Sequence, residues 1–134
     1  FQGGLNVVQR THATSAVLRA LRRGEVVGLL VDQDTRVPGT FVRFFNHPAH
    51  TPVGPAVIAG RTGAPIVPMG IRRQEDDTHL ITIKPPISVE ERPSDVFIHE
   101  VVQQYTTEIE TFIRQSPTQW VWMHDRWKTK PPAE

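Results

Sequence analysis

The stretch Glu25-Val26-Val27-Gly28-Leu29-Leu30-Val31-Asp32-Gln33-Asp34 decides the fold. It is apolar from Val26 to Val31 apart from one glycine, the pattern of a strand buried on both faces in a parallel sheet. It then stops abruptly on two carboxylates and an amide. Just upstream, Ala13, Val17, Ala20 and Leu21 recur at helical spacing across residues 11–23 while Arg19, Arg22 and Arg23 fall largely elsewhere, and Gly24 suits a left-handed helix cap. A helix feeding a doubly buried strand predicts the α/β class.

Working downstream, Thr40-Phe41-Val42-Arg43-Phe44-Phe45 reads as a second extended segment, and Asn46-His47-Pro48-Ala49-His50 as a turn. Thr51-Pro52 offers an N-cap followed by proline at the first helical position, so a helix is predicted over residues 52–62, closed by Gly63. Its Val53, Ala56, Val57, Ile58 and Ala59 carry almost no charge, which predicts a buried helix. Residues 64–73 read as another inner strand whose Pro65 and Pro68 limit ladder bonds, and residues 78–84 as the strand after it, with residues 74–77 as an exposed turn. Ser94 or Asp95 caps a long helix whose Ile98, Val101, Val102, Tyr105, Ile109, Phe112 and Ile113 share one face. Three tryptophans interleaved with charge follow, in Gln119-Trp120-Val121-Trp122-Met123-His124-Asp125-Arg126-Trp127-Lys128.

The 134 residues fit one domain. Fifteen Lys and Arg against fourteen Asp and Glu leave a net charge of +1, far from the balance of a nucleic-acid binder. The absence of cysteine excludes disulfide scaffolds, thiol nucleophiles and Cys-ligated zinc within this span. No run approaches the roughly eighteen apolar residues of a membrane-spanning helix. The opening Phe1, with Gly3 and Gly4 before the first periodic segment, reads as a cut inside a longer protein.

Several clusters are candidates for chemistry. Asp32-Gln33-Asp34 stands where a strand ends, and ligands of open α/β sheets gather at the carboxyl ends of strands; an ordinary solvated turn uses the same residues. The predicted helix start at Thr51 and Pro52 would aim unpaired N–H groups and a positive dipole end at an anion, and Gly54 would let it approach closely; a well-capped buried helix needs no ligand. Arg43, Arg61, Arg72 and Arg73 have the fork geometry for phosphate, although Arg72-Arg73 precedes acidic Glu75 and Asp76. The tryptophan-rich segment suits either a headgroup boundary or a cap on the core.

The six histidines supply no metal or base motif. His47 and His50 are three apart in a loop without a third ligand, and His99-Glu100 lacks the second histidine of H-E-x-x-H. Five positions after His12, His47, His50, His79, His99 and His124 stand Val17, Pro52, Pro55, Lys84, Gln104 and Thr129, so none heads an H-x-x-x-x-D/E motif. No G-x-S-x-G elbow, phosphate-binding loop or G-x-G-x-x-G is present, and no cofactor is expected.

Taken in order, Gly24-Glu25 before the strand, Asp32-Gln33-Asp34, Phe41-Val42-Arg43-Phe44-Phe45, Thr51 through Gly54, Gly63-Ala64-Pro65 with Pro68, and Gln119 through His124 followed by Arg126-Trp127-Lys128 resemble the bacterial lipid A lauroyl/myristoyl acyltransferases over nearly the whole chain. The resemblance implies a glycerolphosphate-acyltransferase-like α/β fold with a mixed, mostly parallel sheet flanked by helices. It implies transfer of a fatty acyl group from acyl carrier protein or acyl-CoA to a hydroxyl of a lipid A precursor or related glycolipid, on the cytoplasmic face of the inner membrane. Family members use the histidine of an H-x-x-x-x-D/E motif as general base. That motif is absent here, so residues 1–134 are expected to be the C-terminal part of one acyltransferase domain, inactive alone, with its base upstream of Phe1. Carried over by position, Asp32, Gln33, Asp34, Arg43, Phe45, Thr51 and Gly54 would bind substrate, the helix start taking either a phosphorylated acceptor or the donor's phosphopantetheine arm. His124-Asp125-Arg126 departs from the family pattern by placing an acid where a second basic residue often stands, which weakens a phosphate role there. A non-catalytic glycolipid- or membrane-binding module is the competing expectation.

Overall fold

A computed structural model of the chain describes Gly4, residues 6–8 and residues 13–132. Phe1, Gly3 and the predicted start of the first helix at Thr11 and His12 lie outside the described residues. The structure is mixed α and β, and its strands form two separate antiparallel hairpins; among the described residues no parallel pair occurs.

Helix α1, Ala13–Arg22, turns Val17 inward and ends as expected at Gly24, whose φ of 75° lets Glu25 N–H reach back to Ala20 O at 3.0 Å. The segment expected to be a doubly buried strand departs from prediction. Residues 25–31 carry no regular secondary structure and belong to no ladder among the described residues, and Val26 and Leu30 are 93% and 95% exposed. An apolar run becomes an inner strand only when strands flank it, and none of the described strands pairs with it.

Strand β1, Gly39–Phe44, pairs with β2, His47–Pro52, around a tight turn at Phe45 and Asn46, whose φ values of 49° and 64° are those a two-residue hairpin turn requires. This corrects two expectations. Residues 46–50 are mostly strand rather than loop, and Thr51 and Pro52 end that strand rather than starting a helix. The prolines mislead because they are usually read as breakers. In the observed register Pro48 and Pro52 sit opposite Arg43 and Gly39, positions that alternate with the bonded pairs, so the ladder needs no N–H from either.

Helix α2 therefore begins later, at Gly54–Thr62, with Val53 as a cap residue lacking a side-chain bond, Pro55 in the first turn and Gly63 closing it at φ 70°. Its buried Ala56, Ala59 and Gly60 allow close packing; a methyl on Gly60 would lie 2.5 Å from Pro93. Strand β3, Met69–Arg73, pairs with β4, His79–Ile83. Regular pairing starts only there, because Pro65 and Pro68 have no N–H to give, and a single bridge joins Ile66 to Ile87. Nor is this an inner strand, since Met69, Ile71, Ile81 and Ile83 are all more than half exposed.

Helix α3, Asp95–Gln115, is the spine. Ser94 Oγ accepts from Phe97 N at 3.2 Å, and Asp95 and Arg114 sit at the dipole ends that favour them. Its Val101, Val102 and Tyr105 close one core with Val42 and Ala56, and Ile113 closes a second with Phe44 and Ala49. Each such aliphatic side chain contributes about 1.5–3 kcal/mol by burial. A short 3-10 turn, Pro117–Gln119, then sends the chain back across the β1–β2 hairpin.

Candidate functional site

Residues 120–129 lie against the loop that carries Asp32, Gln33 and Asp34 and bind it by both backbone and side chain. Trp120 Nε1 donates to Asp32 Oδ2 at 3.1 Å. Asp34 N–H donates to His124 Nε2 at 2.9 Å, which requires that nitrogen to be unprotonated. Thr129 gives Asp34 two bonds, from its N–H to Oδ2 at 2.9 Å and from its hydroxyl to Oδ1 at 3.1 Å. Burial would raise the Asp34 pKa, but the Thr129 bonds, with Lys128 and His50 nearby, outweigh it and hold the carboxyl below its ordinary value.

Arg126 is 1% exposed and fixes the other side of the same block. Its guanidinium donates to His50 O and to Thr51 Oγ1, each at 2.6 Å, and stands 5.2 Å from the centre of the Phe44 ring. Desolvation lowers its pKa, while Asp34, Asp32 and Tyr105 oppose that. His50 Nδ1 lies 3.6 Å from Asp34 Oδ1, so a carboxylate, an imidazole and a guanidinium converge on β2. The Tyr105 hydroxyl donates to Pro52 O, and burial raises the phenol pKa strongly.

Beside this block opens an apolar cleft of about 460 Å³. One wall is Val27, Leu29, Leu30 and Val31, the facing wall runs from Pro65 to Arg72, and Tyr105, Ile109 and Phe112 help to form the floor. Among the described residues Asp32 is the only acid on its lining. With Oδ2 held by Trp120, its Oδ1 has no hydrogen-bond partner among the described residues and can accept from a hydroxyl presented at the cleft.

The seven residues singled out from sequence thus fall into different environments. Asp34 and Thr51 come together through His50 and Arg126 but are buried and fully engaged with protein groups. Gln33 is exposed beside them. Gly54 has open space before it, and its neighbour Pro55 lines the cleft. Arg43 and Phe45 lie elsewhere: Arg43 is exposed on β1, its backbone held by the Gln103 side chain at 2.8 and 3.0 Å, and Phe45 packs between Phe44, Trp122 and the Arg114 guanidinium. Sequence reasoning placed none of His50, Tyr105, Arg126 and Thr129 in the site, having weighed His50 only as a metal ligand or motif base. Only Arg126, which stands next to Trp127 in a tryptophan-rich segment, carried a signal.

The tryptophans mostly cap the core. Trp120 and Trp127 pack on Phe44 with ring centres 5.7 and 5.6 Å away, whereas Trp122 is half exposed and Met123 almost fully so. Among the described residues no helix is long and apolar enough to cross a membrane, and no three His, Asp or Glu side chains gather as a metal site would need.

The family described as bacterial lipid A biosynthesis acyltransferase matches residues 2–129. A lipid A biosynthesis lauroyltransferase of Escherichia coli (strain K12) is 31% identical over 122 residues, covering 86% of this chain and 38% of the relative. The chain therefore spans well under half the length of that relative.

Proposed function

This chain belongs to the bacterial lipid A biosynthesis acyltransferase family, and from that premise we propose that it forms the acceptor side of an acyltransferase within a longer polypeptide. The reaction moves a fatty acyl group from acyl carrier protein or acyl-CoA to a hydroxyl of a lipid A precursor or related glycolipid. It takes place on the cytoplasmic face of the inner membrane, where half-exposed Trp122 and exposed Met123 give this part an interfacial contact. The family match across residues 2–129 carries this reading.

The general base is the histidine of an H-x-x-x-x-D/E motif outside residues 1–134, because none of the six histidines here heads one. Asp32 orients the acceptor hydroxyl through Oδ1. Asp34, His124, Arg126 and Thr129 keep the loop in place while that happens, so residues 1–134 alone are inactive.

The test is acyl transfer by the full polypeptide from acyl carrier protein or acyl-CoA to a lipid A precursor. Replacing the upstream histidine abolishes turnover, and Asp32→Asn lowers kcat by roughly tenfold or more, the scale of losing one hydrogen bond to a charged group. Turnover that survives loss of the histidine overturns the assignment of the base. Binding to anionic vesicles without any turnover would favour a glycolipid- or membrane-binding module instead.

A further inference from the structure

Among the described residues two charged side chains line the apolar cleft, Asp32 and Arg72. The acid is held by Trp120, whereas the Arg72 guanidinium makes no hydrogen bond, ion pair or ring contact among the described residues. The acidic turn after β3 engages the neighbouring arginine instead. Arg73 pairs with Asp77 at 2.6 Å, and Asp76 accepts from both the N–H and the hydroxyl of Thr78. Alternation along the strand separates the two arginines. Arg72 shares its face with Gly70, where a methyl would lie 2.7 Å from the Phe112 ring of α3, and Arg73 lies on the opposite face. On α3 itself, Glu108 is paired with Lys84 at 3.1 Å.

The 3-10 turn joins this end of β3 to the Asp32 loop. The Gln119 side-chain amide accepts from Arg73 N at 2.8 Å and donates to Arg73 O at 2.9 Å, and the next residue, Trp120, donates to Asp32. Ser116, which opens the turn, also lines the cleft, and its hydroxyl has no partner among the described residues. One end of the cleft therefore carries a free guanidinium, a free hydroxyl and a carboxylate with one free oxygen, and the rest is mainly aliphatic and aromatic. A cation beside apolar lining is poorly screened and attracts an anion more strongly than one in open water.

We propose that Arg72, assisted by the Ser116 hydroxyl, forms an anion subsite at this end of the cleft that binds a phosphate group of an acyl-transfer substrate. The guanidinium fork matches two phosphate oxygens, and the hydroxyl can donate to a third. The other arginines considered for this role are placed differently. Arg43 is exposed on β1, Arg61 lines a separate pocket with Glu91 and Arg92, and Arg73 is ion-paired. The phosphate belongs either to a phosphorylated acceptor or to the phosphopantetheine arm of the donor. This assignment rests on the acyl-transfer reading for its substrates.

The test labels the full polypeptide with phenylglyoxal and maps the modified arginines by mass spectrometry. A phosphorylated lipid A precursor or coenzyme A, each added alone, reports on acceptor and donor phosphate respectively. The one that fills the subsite should slow labelling of Arg72 at least about fivefold while leaving Arg61 at its original rate. Arg72→Ala should raise KM for the same substrate about tenfold to a hundredfold and change kcat less than about threefold, the pattern of a phosphate held equally in ground and transition states. Arg72→Lys should recover part of the loss, because it keeps the charge without the fork. Labelling of Arg72 that neither compound slows overturns the inference, as do unchanged KM values for both substrates in Arg72→Ala. Protection requires no turnover. A full polypeptide that transfers no acyl group would therefore sink the acyl-transfer reading while the labelling still decides the subsite, and it decides alone should Arg72→Ala fail to fold.

Discussion

The two hairpins of this molecule are built from similar amounts of apolar sequence and end in opposite conditions. In the β1–β2 hairpin, Val42, Phe44, Ala49 and Thr51 are buried against α3 and the returning segment at residues 120–129, and one edge is held by Gln103. In the β3–β4 hairpin, Met69, Ile71, Ile81 and Ile83 stay more than half exposed, and Gln119 covers only the Arg73 end of its edge. Strand formation alone, then, does not decide burial. What differs is whether another part of the same chain returns to cover the face, and the C-terminal segment covers only the first hairpin.

If that covering is what makes the first region rigid, its heaviest penalty lies at Arg126. Arg126→Ala should destabilise the chain by about 3 kcal/mol, the scale for breaking a buried charged network, because His50 O and Thr51 Oγ1 lose their donor and Asp34 its nearby buried cation. Urea denaturation followed by tryptophan fluorescence reads this directly. A loss under about 1 kcal/mol would mean that water reaches the guanidinium, and the contrast between the two regions would weaken.

Asp34 gives the next largest effect and a pH signature. Asp34→Asn keeps the shape but replaces one acceptor oxygen with an amide that cannot accept from Thr129, at a cost of about 1.5 kcal/mol near neutral pH. The folded pKa is depressed, so this carboxyl's stabilisation is present above its ordinary value of 3.8 and is lost as pH falls through the lower folded value. The Asn variant should show a shallower loss of stability in acid, measured by denaturation midpoints from pH 6 down to about 2. Identical acid limbs for the two proteins would remove Asp34 from the network.

Legibility in the sequence divides along the same line. The long helix, its Ser94 cap and the Gly24 and Gly63 stops were readable because local signals fix them. The β1–β2 hairpin was half readable: Phe41, Val42 and Phe44 announced a strand, but its partner contains Pro48 and Pro52, harmless only in one register that spacing does not reveal. The acidic strand end was found as a cluster, yet the separate fates of its members depend on residues 88 to 95 positions away, Trp120 for Asp32 and Thr129 for Asp34. No local pattern encodes such a pairing. The apolar run at residues 26–31 was read correctly as composition and incorrectly as burial, because burial needs a second strand.

The smallest predicted effect probes that last point. Leu30 is 95% exposed, so in residues 1–134 taken alone Leu30→Ser should change stability by no more than about 0.5 kcal/mol, as expected for a surface position without partners. Fully buried Val102 sets the opposite limit, and Val102→Ser should cost several times more, from lost burial and an unpaired hydroxyl. Repeating Leu30→Ser in the full polypeptide sharpens the comparison. A cost that rises to about 2 kcal/mol there would mean that the side chain is covered by the longer protein, and the open region would then be one half of a core. A cost that stays small in both would leave Leu30 at the surface even there, and composition alone would have made residues 26–31 resemble an inner strand.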